Sequence, residues 1–224
     1  MIVLNQDQFS CFPSCGSTKL IGLTLKVRSI WRFVGTHYLE EYDWFFIGGD
    51  DLFVLPHNLK TYLASLARKD GVDPGTHEYF VGRRFNPGGK QYFNSGGAGY
   101  SLSRATLRKF LGAMDDARHC AAKGHTSMED VMIAKCLGHL GIRFTDTRDA
   151  RGRERFHPFA PGSHLHWKPP KPGEPPDWYE DYNKEWGILQ GPDCCAPDSV
   201  SFHYIKKASM VRHMQALLYY CEGR

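Results

Sequence analysis

The stretch WFFIGGDDLFV, residues 44–54, sets Asp50 and Asp51 side by side at the end of a run otherwise made of aromatic, aliphatic and glycine residues. An ionised carboxylate buried without a partner costs several kcal/mol, so acids in such a place need a cation, hydrogen-bond donors or a way out to solvent. If WFFI is a buried strand, its carboxyl end opens onto the crevice where α/β sheets bind ligands. Two carboxylates there, with Gly48 and Gly49 letting a ligand approach the backbone, suit a divalent cation holding a diphosphate, and oxygen donors favour Mg²⁺ or Mn²⁺. The alternative is a helix cap or a surface turn.

Three further stretches carry side chains of the same kind. SGGAGY, residues 95–100, holds Gly96, Gly97 and Gly99, which let a backbone lie against a ligand or make a tight turn between strand and helix. It matches neither a dinucleotide fingerprint nor a phosphate-binding Walker loop. Met128-Glu129-Asp130 stands at an expected helix start. There a carboxylate gains roughly 0.3–1 kcal/mol from the helix dipole, or serves as a general base that deprotonates an attacking hydroxyl. His157 and His203 each follow a phenylalanine. Each is a candidate core histidine or a candidate metal ligand beside Asp51. No nucleophile elbow of the G-x-S-x-G type is present, and no cysteine has a recognisable catalytic context.

The elements that must position these residues can be read from apolar spacing. Leu25, Val27, Ile30, Trp31, Phe33, Val34 and Tyr38 give a helix from Leu23 to Tyr38. WFFI reads as a short buried strand. Pro56-His57-Asn58 opens a second helix, with Leu59, Tyr62, Leu63 and Leu66 on one face. HEYFVG, residues 77–82, reads as a strand, and residues 83–103 as a glycine-rich loop broken by one short strand. Ser103 is placed to cap a helix through Leu107 and Phe110. Another helix is expected from Thr126–Asp130 to a stop at Gly141. Residues 160–193, rich in proline and tryptophan, read as a long loop. VSFHYI, residues 200–205, reads as a strand, and a final helix is expected from Ser209 to Tyr220. Residues 1–22 read as irregular, leaving one domain over residues 23–224. Alternating strands and helices predict an α/β fold, a mixed sheet flanked by helices.

The 224 residues carry a net charge of +4, with no basic stripe of the kind that binds nucleic acid, so nucleic acid is not an expected partner. No run of about 18 apolar residues forms a membrane span. Seven cysteines include no CxxC pair, and Cys194-Cys195 in a proline- and glycine-rich loop points to disulfides and an oxidising compartment rather than zinc.

In order along the chain, WFFIGGDD, FVGRRF, YFNSGGAGYSLS, SMEDVMIAKCL, FHPF, GPDCC and VSFHYI resemble the core 1 β-1,3-galactosyltransferases of glycosyltransferase family 31, from about Leu23 to about Tyr220. The GGAGY loop and the CC…VSFHY ending are the most specific parts. The resemblance implies a GT-A fold and inverting transfer of galactose from UDP-galactose to the 3-hydroxyl of N-acetylgalactosamine on a glycoprotein or glycopeptide, with Mn²⁺. It places Asp51 at the metal-binding acid of an aspartate motif and Asp50 at its middle acid. Gly96, Gly97 and Gly99 border the donor sugar, and Asp130 is the base. His203, or else His157, is the metal-binding histidine, and Cys120 and Cys136 are a disulfide pair. Trp178, Tyr179 and Trp186 fall on the acceptor side. The resemblance also implies a Golgi enzyme with a single-pass type II anchor, and it leaves a homodimer open. Two features depart from the family. Gly49 stands where the first of three aspartates is expected, and residues 1–22 do not resemble the family's tail, anchor and first nucleotide-binding strands. Two other readings stay open: a non-catalytic chaperone-like or lectin-like homologue, and a β-1,3-transferase using another UDP-sugar.

Overall fold

A computed structural model describes residues 2–4, 23–89, 92–120 and 127–216. Cys11, Cys15, Thr126, Tyr220, Cys221 and most of the segment expected to be irregular lie outside the described residues. Ten short strands and seven α-helices are described: β1 (Ile2–Leu4), α1 (Leu23–Tyr38), β2 (Trp44–Ile47), β3 (Phe53–Val54), α2 (Pro56–Asp70), β4 (Phe80–Gly82), β5 (Arg84–Phe85), β6 (Phe93–Asn94), β7 (Tyr100–Ser103), α3 (Arg104–Ala113), α4 (Glu129–His139), β8 (Phe144–Thr145), β9 (Phe156–His157), α5 (Pro161–His166), α6 (Trp178–Asn183), β10 (Ser201–Phe202) and α7 (Ala208–Gln215).

The main sheet runs β1-β2-β7-β4-β8, with β7 antiparallel to both β2 and β4 and the outer pairs parallel. Successive strand residues face opposite sides. Phe45 and Ile47 therefore pack with α1, α3 and α4, while Trp44 and Phe46 pack with Leu59, Tyr62 and Leu63 of α2. Burial on both faces explains why WFFI is continuously apolar. A smaller sheet, β3-β10-β9, pairs Phe53 with Phe202 antiparallel and Phe202 with His157 in parallel. The chain crosses from the main sheet to the smaller one through the turn that holds Asp50 and Asp51.

Ser103 caps α3 as its spacing predicts, accepting from the Thr106 amide at 3.2 Å. Cys120 and Cys136 are disulfide-bonded, and Cys194 is bonded to its neighbour Cys195. Four expectations are corrected. Ile2–Leu4, expected to be irregular, is a strand paired with β2. Tyr100–Ser103, read as part of a loop, is an inner strand whose Tyr100 and Leu102 enter the core. Its glycine-rich approach and its alternating serines hid the period. The supposed loop at 160–193 contains α5, α6 and a 3₁₀ turn at Gly191–Cys194. Each is too short to show a helical stripe, and proline sits at the first turn of α5, where its missing N–H costs nothing. The VSFHYI strand is only two residues long, because Tyr204 takes a left-handed φ of 59° and breaks the extension.

A buried polar knot holds α6 against the sheets. Arg83 donates to Glu154 at 2.8 Å, to Asn183 at 2.6 Å and to the Tyr179 hydroxyl at 3.1 Å. Glu154 also accepts from Thr147 and from the Arg155 amide. Removing one partner of a buried ion pair strands the other charge. Arg83→Met is expected to lower stability by roughly 3–5 kcal/mol in urea denaturation, and adding Glu154→Gln should recover part of the loss.

Candidate functional site

Asp51 is set by the register of the smaller sheet. Beyond the last β3–β10 pair, Phe53 with Phe202, the chain turns at Tyr204 and the Ile205 amide donates to the Asp51 carbonyl at 2.9 Å. This brings His203 and Lys206 to the Asp51 side chain. The His203 Nε2 lies 3.0 Å from Asp51 Oδ1, and the Lys206 Nζ lies 3.4 Å from Oδ2. The other ring nitrogen of His203, Nδ1, faces the Pro158 carbonyl at 3.2 Å. A carbonyl only accepts, so that contact assigns the proton to Nδ1. A neutral ring then turns the Nε2 lone pair toward a carboxylate oxygen. One imidazole nitrogen and one carboxylate oxygen therefore face each other at 3.0 Å, two atoms of the kinds that can share a cation. Tyr204 is the sole non-glycine residue with positive φ among the described residues, and its ring stacks on His203 at 3.9 Å.

The glycine loop closes the other side. A Cβ on Gly97 would stand 2.5 Å from the His203 ring, and one on Gly96 would stand 2.7 Å from Glu129 Oε1. Both positions therefore exclude side chains. Gly99, at φ 73°, lies against Phe46 and Leu52, and the Ser201 hydroxyl donates to the Ala98 carbonyl at 2.6 Å. The loop is thus wedged between the two sheets and the start of α4. The Gly96 amide donates to Asp130 Oδ2 at 2.9 Å, and the Val131 amide donates to Oδ1 at 2.9 Å. Two backbone donors hold this carboxylate in place, while burial raises its proton affinity above the usual aspartate range. Beside it, Glu129 accepts from the Tyr100 hydroxyl at 3.1 Å. Burial, reinforced by the neighbouring Asp130 charge, pushes the Glu129 carboxyl up to about 8.

Asp51, His203, Gly96, Gly97, Gly99 and Asp130 therefore come together around one loop. Asp50 does not join them, being exposed on the outside of the turn. His157 does not either. It is 1% exposed, its Nε2 lies 3.0 Å from the Ser199 hydroxyl, and its ring stacks on Phe202 at 4.3 Å. Burial drops its proton affinity well below the usual histidine range, which marks a neutral core histidine. The three aromatic residues expected together also separate. Tyr179 is buried in the Arg83 knot, and Trp186 packs under Arg84, whose guanidinium sits 4.8 Å from its ring. Trp178 is 48% exposed and reaches the His203 side through Phe159, whose ring lies 6.3 Å from that of Tyr204. Glu129, Tyr204 and Lys206 were missed as site residues. Glu129 was hidden by the ordinary preference for acids in a first helical turn, and nothing local in the sequence marks the other two.

Glu129 binds its proton more tightly in the fold than in the unfolded chain. Stability is therefore lost as pH rises from the ordinary glutamate range toward about 8. Glu129→Gln removes this titration. Between about pH 5 and pH 8 the variant is expected to gain on the order of 2 kcal/mol relative to the native chain, measured as the difference in urea-unfolding free energy at each pH.

No protein-family model matches the chain. Among curated proteins it is similar to glycoprotein-N-acetylgalactosamine 3-beta-galactosyltransferase 1 of Xenopus laevis, with 37% identity over 195 residues, covering 87% of this chain and 50% of that protein. It also matches chondroitin sulfate glucuronyltransferase of Homo sapiens, 30% identical over 112 residues, covering 50% of this chain and 14% of the relative. Chondroitin sulfate synthase 3 of Mus musculus is 27% identical over 115 residues, covering 49% and 12%. The chain thus spans about half the length of the Xenopus relative. On this likeness, and with a mixed α/β fold that sets an acid, a histidine, a glycine loop and a second acid around one site, the chain is a homologue of curated glycosyltransferases and resembles glycosyltransferase family 31.

Proposed function

We propose that the site transfers galactose from UDP-galactose, with inversion, to the 3-hydroxyl of N-acetylgalactosamine carried on Ser or Thr of a glycoprotein. The observation that carries this reading is the contact of Asp51 with His203, whose far nitrogen is occupied by the Pro158 carbonyl. Metal-binding histidines are commonly oriented in this way, and one carboxylate oxygen with one imidazole nitrogen suits Mn²⁺. Asp51 and His203 are the residues that would hold it. A bound divalent cation would neutralise the negative charge of the departing diphosphate.

The chain's own residues account for the remaining chemistry. Gly96 and Gly97, which have no room for side chains, let the loop pack directly against Glu129 and the His203 ring and so border the donor sugar. Asp130, fixed by the Gly96 and Val131 amides, takes the proton from the acceptor hydroxyl. The freed oxygen forms its bond to the anomeric carbon as the bond to UDP breaks on the opposite face. One displacement inverts that centre, and no covalent enzyme intermediate is needed. Burial supports the role, since it raises the proton affinity of Asp130 toward that of a working base. Trp178, exposed near Tyr204, is the acceptor-side aromatic best placed for contact with a glycopeptide.

The reading also includes a Golgi or other secretory lumen, where the Cys120–Cys136 disulfide would persist. Among the described residues no helix is long and apolar enough to cross a membrane. Gly49, which removes one acid from the turn, favours the second reading, a non-catalytic homologue that binds without transferring.

Calorimetry with UDP and Mn²⁺ separates the roles. Asp51→Ala is expected to weaken Mn²⁺-dependent UDP binding at least about tenfold, a loss of about 1.4 kcal/mol. Asp130→Asn should bind UDP like the native chain yet lower galactose transfer to a GalNAc-peptide by roughly 10²–10⁴-fold. A folded chain that binds UDP without transferring supports the second reading, and one that binds no UDP overturns the donor site.

A further inference from the structure

Lys206 has a place in this site that the reaction above does not use. Both oxygens of Asp51 face nitrogen groups from a single short segment, His203 on Oδ1 and Lys206 on Oδ2. The backbone is shaped to deliver the lysine. Tyr204 turns the chain at φ 59°, the Ile205 amide anchors it to the Asp51 carbonyl, and Lys206 follows directly. The ammonium lies 4.9 Å from the centre of the Tyr204 ring, so the aromatic face guides it on a second side. Its side chain is nevertheless 61% exposed, which leaves part of a three-donor head turned to solvent. On the other side of the carboxylate the turn supplies no further acid at position 49. Position 49 is glycine, and a Cβ there would stand 3.1 Å from Asp51 Oδ1. The Lys206 ammonium offsets the Asp51 carboxylate before any metal arrives.

We infer that Lys206 is a built-in cation of the donor site, one that binds the diphosphate of the nucleotide directly and competes with a divalent metal for Asp51. This rests on the donor-site reading above. An exposed ion pair holds its partner weakly, so the lysine can leave Oδ2 and turn to a phosphate oxygen without disturbing the fold. An ammonium to phosphate contact is charge-assisted and needs no metal. The chain should therefore keep measurable UDP affinity when divalent metal is removed, and removing the lysine should improve Mn²⁺ binding, because Asp51 then has one competitor fewer.

The test is calorimetry with UDP in excess EDTA, together with titration of Mn²⁺ alone followed by electron paramagnetic resonance of the free ion. The expected result is UDP binding in EDTA by the native chain. Lys206→Ala should weaken it about tenfold and Lys206→Arg should retain it, while Lys206→Ala tightens Mn²⁺ binding several-fold. If UDP binds only with Mn²⁺, and Lys206→Ala behaves like the native chain in both titrations, the inference about Lys206 is wrong and the donor site stands. If the native chain binds UDP neither in EDTA nor with Mn²⁺, the donor-site reading itself fails. Lys206 is exposed, so its variants should unfold at the native temperature, and a matching melting curve excludes loss of fold as the cause.

Discussion

Strand β2 is covered by helices on both faces, and the geometry of the site follows from how the chain leaves it. No carboxylate can sit within such a strand without a partner. The acids come only after Gly48 and Gly49, where the chain crosses from the main sheet to the smaller one. The crossing is held from the far side by β10, paired with β3, and by the Ile205–Asp51 backbone contact that follows the turn at Tyr204. A shift of one residue in that pairing would turn His203 away from Asp51, because successive strand residues face opposite sides. The register of two very short strands thus sets the candidate metal-binding pair.

The glycine loop turns this pair into a larger site. It has contacts on three fronts: the His203 ring at Gly97, the α4 carboxylates at Gly96, and the end of β2 at Gly99. Each contact excludes a side chain, for a different local reason. Without the loop, the metal-binding candidates on the small sheet and the base candidate on α4 would belong to separate surfaces. The acids it joins have opposite surroundings. Asp51 faces an imidazole and an ammonium, whereas Glu129 and Asp130 face burial and each other. Environments that differ in this way divide carboxylates between holding a cation and moving a proton.

Much of this was legible along the chain. The period of apolar residues determined α1 from Leu23 to Tyr38 and the start of α2 at Pro56, because long amphipathic segments carry their own signal. The WFFI run announced a strand buried on both faces, and Ser103 announced the cap of α3, because both depend on neighbours close in sequence. The motif order from the aspartate pair to VSFHYI pointed to the same glycosyltransferases that the comparison found. Asp50, Asp51, Asp130 and the three glycines were candidates from residue type and place, and the resemblance supplied their expected roles.

Tertiary structure decided what depends on residues distant in sequence. It set His203, and not His157, against Asp51: both follow phenylalanine, yet one is buried beside Ser199 and the other reaches the aspartate. It drew Tyr179 into the Arg83 knot and left Trp178 at the surface, although the two are adjacent. It brought Lys206 back over Asp51 by a left-handed step at Tyr204, a conformation that no neighbouring residue type calls for. The sequence by itself determined which side chains could do the chemistry, since that follows from local composition and period. Which of them meet depended on strand register and burial, and these arise only when segments distant along the chain are packed together.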